Sequence, residues 1–80
     1  MKAIVNVKLK EGVLDPQGKA ISHALGSLGF SGIEDVRIGK QIVLTLNESD
    51  EKKAKEDVKK MAEELLANTV IEDYEIEIVK

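Results

Sequence analysis

His23 is the only histidine among the 80 residues, and histidine is the side chain most often recruited as a general base near neutral pH. A base also needs a neighbour to orient it. His23 falls about 200° around the helical wheel from Ile21, away from the apolar stripe of its helix, and nothing evident stands ready to hold it. It reads as a surface or interface histidine. Glu72 and Asp73 are adjacent carboxylates of the kind used for metal binding or acid–base work. Successive strand residues point to opposite faces, however, so the two do not converge. The chain has no cysteine, which removes a thiol nucleophile, a thiolate metal site and a disulfide framework together.

Two further motifs suit binding better than catalysis. Arg37 is the sole arginine. A guanidinium outperforms an ammonium in bidentate and interface pairing, so Arg37 is either an anchor for a partner or a charge on an exposed strand. Asp15-Pro16-Gln17-Gly18 sits where a strand gives way to a helix. Asp15 is a good N-cap and Pro16 suits the first helical position. Gly18 then breaks the local rule, since glycine in a first helical turn costs about 1 kcal/mol relative to alanine. Two readings stand: a backbone from a partner or ligand comes close there, or the junction is tight and tolerates the glycine.

The elements that must position these residues follow from periodicity. Ala3, Val5, Val7 and Leu9 alternate with Lys2, Asn6, Lys8 and Lys10, which predicts a strand over 3–10. A helix after Asp15 carries Ala20, Ile21, Ala24, Leu25 and Leu28 on one stripe, and Gly29 stops it as a left-handed C-cap. Residues 34–38 and 41–47 read as two strands joined by a hairpin at Gly39-Lys40. Asn47, Ser49 and Asp50 compete to cap a second helix with the stripe Ala54, Val58, Met61, Ala62, Leu65 and Leu66, closed by a left-handed Asn68. Tyr74, Ile76 and Ile78 alternate with Glu75 and Glu77 in a last strand.

The order β-α-β-β-α-β, all in one domain over residues 1–80, predicts an α+β ferredoxin-like sandwich, a four-stranded antiparallel sheet with two helices on one face. The other face would show Ile4, Asn6, Lys8, Val43 and Thr45, part apolar and part polar, and so small a core gains from covering it with a second copy. Many functions use this fold, so function must come from sites. RNA readers of this shape stack bases on aromatics of the central strands; Phe30 and Tyr74, the only aromatics, lie on neither. Metal carriers of this shape use paired cysteines, and small phosphatases an arginine in the loop after the first strand; Lys10–Leu14 has none. A net charge of −3 argues against nucleic acid and anionic membrane. The lysines from Lys52 to Lys60 alternate with Glu51, Glu56 and Asp57 as a solvated helix face. No apolar run could span a membrane, and Met1–Asn6 already reads as strand with no signal-peptide core.

Three segments in order resemble the PurS family of phosphoribosylformylglycinamidine synthase: Val13-Leu14-Asp15-Pro16-Gln17-Gly18-Lys19-Ala20, Val36-Arg37-Ile38-Gly39-Lys40, and Leu65-Leu66-Ala67-Asn68-Thr69-Val70-Ile71-Glu72-Asp73-Tyr74. The resemblance spans nearly the whole chain. Thr69 departs from it, since proline often follows the asparagine in this family. The resemblance implies a cytoplasmic subunit with no chemistry of its own. As a homodimer it would join an ATP-dependent synthase subunit to a glutaminase subunit and help ammonia pass between them in the fourth step of purine biosynthesis. ATP, magnesium and glutamine would belong to the partners, with no cofactor or metal held by this chain.

Two other hypotheses compete: a ferredoxin-like regulatory module holding a small effector at the Asp15–Gly18 helix start, and a small enzyme using His23 and Asp15. For the subunit reading, the residues expected at the partner interface are Asp15, Gln17 and Gly18 at the helix start and Arg37, Gly39 and Lys40 at the hairpin, all on one rim. There glycine admits a close backbone and the cations anchor carboxylates or carbonyls.

Overall fold

Strict alternation over Lys2–Leu9 makes the central strand β1, with Ala3, Val5 and Val7 fully buried on one face. In the computed structural model, which describes residues 1–80, β1 is followed by α1 (Pro16–Ser27), β2 (Gly39–Thr45), α2 (Glu51–Met61), a single π-helical turn (Ala62–Leu66) and β3 (Glu72–Val79). β2 and β3 flank β1, both antiparallel to it. The register pairs Val5 with Ile42 on one side and Ile76 on the other, so the three side chains share the inner face. α2 lies over β1 and β3, and its Ala54 and Val58, with Ala62 of the π turn, seal this face. The outer face keeps Ile4 and Val43 beside the acidic row Asp73, Glu75 and Glu77.

The sheet has three strands, which corrects the expectation of four. Residues 34–38 form no strand, and Gly39 and Lys40 are no hairpin turn but the first residues of β2, opposite Lys8 and Val7. The cause is local. The Ile38 amide donates to Asp15 Oδ2 at 2.8 Å and the Arg37 guanidinium donates to the Lys10 carbonyl at 3.1 Å. These bonds tie residues 36–38 to the β1–α1 junction, in line with β2 and not folded back beside it. The outer edge of β2 therefore carries no partner strand.

The helices depart from expectation in a related way. Asp15 caps α1, and Gly29, at φ +96°, ends it. The Phe30 amide reaches the Leu25 carbonyl and the Gly29 amide the Gly26 carbonyl, a complete Schellman closure. Yet α1 does not lie on the sheet. Gly18 is its only buried residue and Leu28 is 73% exposed. With residues 28–38, α1 forms an arm. The radius of gyration is accordingly 16.1 Å, against about 12 Å for a compact chain of this length.

Of the three competing caps, Asp50 wins the start of α2, taking the Lys52 and Lys53 amides. At its end the Ala67 amide bonds to the Ala62 carbonyl, five residues back. This wider turn rotates the stripe, so Ala67 is buried while Leu65 is 82% exposed. Asn68 is not left-handed. It builds a turn instead, its side chain accepting from Val70 and its carbonyl from Ile71 and Glu72.

Candidate functional site

The Asp15–Gly18 and Arg37–Lys40 motifs, separated in sequence by residues 19–36, meet at one end of the sheet. Asp15 joins them. Its carboxylate accepts the Gly18 amide on Oδ1 and the Ile38 amide on Oδ2, each at 2.8 Å, and the residue is buried. Those bonds hold its carboxyl below the ordinary carboxylate range, the Ile38 amide most, then Gly18, with Arg37 adding charge against the opposing effect of burial. A carboxylate so engaged is a structural clamp, not a general base.

Gly18 answers the question its position raised. A Cβ built there would land on the Val36 carbonyl oxygen and 2.9 Å from the Val36 carbonyl carbon. The backbone that comes close belongs to the same chain. Gly39 has a similar reason, because a Cβ there would lie 2.7 Å from the Val7 carbonyl oxygen across the β1–β2 ladder. Asp15, Gly18 and Gly39 thus frame the rim, and Gln17, Arg37 and Lys40 are displayed on it.

Two connected hollows open on this rim. The smaller, about 280 Å³, is bordered by Asp15, Gln17, Gly39, Lys40 and Glu72. The larger, about 660 Å³, runs onto the outer sheet face between Lys8, Arg37, Lys40, Gln41, Asp73 and Glu75. Lys10 neutralises Asp73 at 3.2 Å, whereas Lys8 and Lys40 enter no ion pair. The rim presents free cations on a rigid backbone, an arrangement suited to holding carboxylates or carbonyls of another surface. Lys8 was not singled out in the sequence for this rim. Its signal was present, as the β1 residue on the open face nearest the Lys10–Leu14 loop.

The other candidates are not brought together. His23 stands exposed on the arm, and the nearby Ser27 hydroxyl donates to its backbone carbonyl, not to its ring. Glu72 accepts the Asn68 amide at 2.6 Å while Asp73 pairs with Lys10, on opposite sides of β3. No group of three His, Cys, Asp or Glu side chains is placed to hold a metal ion, and no helix is long and apolar enough to cross a membrane.

The family whose sequence model matches, over residues 2–80, is described as PurS, phosphoribosylformylglycinamidine (FGAM) synthase. The chain is 54% identical over 77 residues to the synthase subunit PurS of Bacillus subtilis, covering 96% of this chain and 90% of that one. It is 47% identical over 79 residues to that of Methanocaldococcus jannaschii, covering 99% and 95%. Among solved structures, B. subtilis PurS superposes with a TM-score of 0.87 at 53% identity, covering 99% of this chain and 98% of that one. A chain in the structure of PurLQS from Thermotoga maritima gives 0.88 at 36% identity, covering 98% and 95%.

Proposed function

The chain belongs to the PurS family of phosphoribosylformylglycinamidine synthase, and from that premise we propose that it is the small assembly subunit of this enzyme in purine biosynthesis. As a homodimer in the cytoplasm it bridges the ATP-dependent synthase subunit and the glutaminase subunit and supports ammonia transfer between them. ATP, magnesium and glutamine are bound by those partners. The observation that carries this reading is full-length likeness, at 36% identity, to a chain solved within a PurLQS structure. The rim supports it from the chemical side: its one buried carboxylate is spent on backbone amides, and the cations Lys8 and Lys40, which enter no ion pair, stand on it beside Glu72 and Glu75. Gln17, Arg37 and Lys40 contact the larger subunits, framed by Asp15, Gly18 and Gly39.

The test is reconstitution of glutamine-dependent synthase activity from the three purified proteins. Omitting this chain is expected to abolish glutamine-dependent turnover while ammonia-dependent turnover by the large subunit persists. Glutamine-dependent turnover that is equally fast without the chain would overturn the reading, as would glutaminase or ATPase activity that co-elutes with the pure chain and falls on His23→Ala.

A further inference from the structure

We propose that the larger hollow of the rim binds the phosphate monoester of a small polyol, with the phosphate seated over Gly39 between Lys8 and Arg37. The first observation is a lysine whose cross-strand partner is taken. In the register Lys8 stands opposite Asp73, yet Lys10 closes the ion pair with Asp73, at 3.2 Å. Lys8 is left exposed and enters no ion pair. On its other side it stands opposite Gly39, which has no side chain to fill the row. Nor can that position take one, because a Cβ there would lie 2.7 Å from the Val7 carbonyl oxygen. The floor of the hollow is bare backbone with a free ammonium at its edge.

The second observation is the sole arginine, which borders the same hollow. One guanidinium N–H donates to the Lys10 carbonyl at 3.1 Å. That bond fixes the planar group and leaves four of its five donors for another acceptor. Arg37 and Lys40, which also borders the hollow, enter no ion pair either.

The third observation is the charge balance. The chain carries a net charge of −3, yet three cations border this hollow against two carboxylates, Asp73 and Glu75, and Lys10 neutralises the first. Both carboxylates stand on β3, across β1 from Gly39. Two strand spacings, roughly 10 Å, therefore separate them from the seat. A phosphate monoester carries close to two negative charges near neutral pH and three strong acceptor oxygens, which answers this surplus where a single carboxylate does not. The hollow, about 660 Å³, falls within the range of about 300–1,000 Å³ typical of small-molecule pockets, so it has room beyond the phosphate. Asn6 and Gln41, hydrogen-bonded to each other at 3.0 Å, border that room together with the unpaired Glu75. Amides and a carboxylate offer both donors and acceptors to hydroxyl groups, hence a polyol.

Arg37 and Lys40 are shared with the contacts proposed above for the larger subunits, but this site needs only the chain itself, so it is tested without them and independently of the bridging role. The full chain, labelled with nitrogen-15, is titrated at pH 7 and constant ionic strength with glycerol 3-phosphate, inorganic phosphate and glycerol, and its amide spectrum is followed by NMR. Glycerol 3-phosphate is expected to give saturable shifts at Lys8, Gly39 and Gln41, inorganic phosphate weaker saturable shifts at Lys8 and Gly39, and glycerol none. Lys8→Gln is expected to weaken binding about tenfold or more, and Arg37→Gln likewise, each with an otherwise unchanged spectrum. Lys2→Gln, the same change on the same strand and face at the far end of the sheet, should leave binding as it was. Shifts that never saturate, shifts spread equally over the α2 lysines, or equal loss from Lys2→Gln and Lys8→Gln would overturn the site. Inorganic phosphate binding as tightly as the ester would overturn the polyol assignment.

Discussion

Replacing Gly18 by alanine isolates the contact on which the rim and the arm both depend. In an ordinary helix the change is favourable by up to about 1 kcal/mol. Here the new methyl would meet the Val36 carbonyl oxygen and sit 2.9 Å from the carbonyl carbon behind it. Both atoms are backbone, so no side chain can pivot away. Moving residue 36 outward would draw the Ile38 amide off Asp15, and moving the helix would break the Gly18–Asp15 cap. Overpacking of this kind costs up to about 3 kcal/mol, so a net loss of about 2 kcal/mol is expected. At roughly 4–8 °C per kcal/mol for a domain of this size, the melting temperature should fall by about 8–16 °C. Gly26→Ala is the control: same helix, same substitution, no atom within 4 Å of the new methyl. It should leave the melt unchanged or raise it slightly. Both are read as thermal melts by circular dichroism at one protomer concentration. If Gly18→Ala melts as high as Gly26→Ala, the close approach of residue 36 holds neither the rim nor the base of the arm.

Val58→Ala removes two carbons from a fully buried site and should cost about 2 kcal/mol, whereas Leu65→Ala should change stability by less than about 0.5 kcal/mol; denaturant titration of both checks the rotation at the π turn. Because Asp15 is held below the ordinary carboxylate range, its contribution is complete above about pH 4, where the unfolded carboxyl is ionised, and disappears as pH falls through the lower folded value. Melts from pH 7 to pH 2 should therefore show the gap between wild type and Asp15→Asn closing as acid is added; a gap that widens would contradict the clamp. Arg37→Ala should melt and dimerise nearly normally yet raise the concentration of this chain needed for half-maximal glutamine-dependent activity. Full activity at limiting concentration would remove Arg37 from the partner contacts.

Local chemistry was legible in the sequence wherever neighbours along the chain supply the energy. Alternation placed β1 and β3, Asp15 and Asp50 declared their caps, and Gly29 declared the end of α1 because only a residue tolerant of positive φ closes a Schellman turn. The three family segments were legible too, and so was the anomaly at Gly18, though not its cause. Tertiary structure decided what depends on distant partners. Residues 34–38 have a strand's alternation, but Asp15 and Lys10 claim their backbone and side-chain donors before β2 can. Leu65 fits a 3.6-residue stripe, but one five-residue hydrogen bond turns it to solvent and buries Ala67 instead. The apolar stripe of α1 stated that the helix packs against something. A stripe records the need for a partner surface and not its address, and the clamp that points the helix outward exists only once two segments remote in sequence have met.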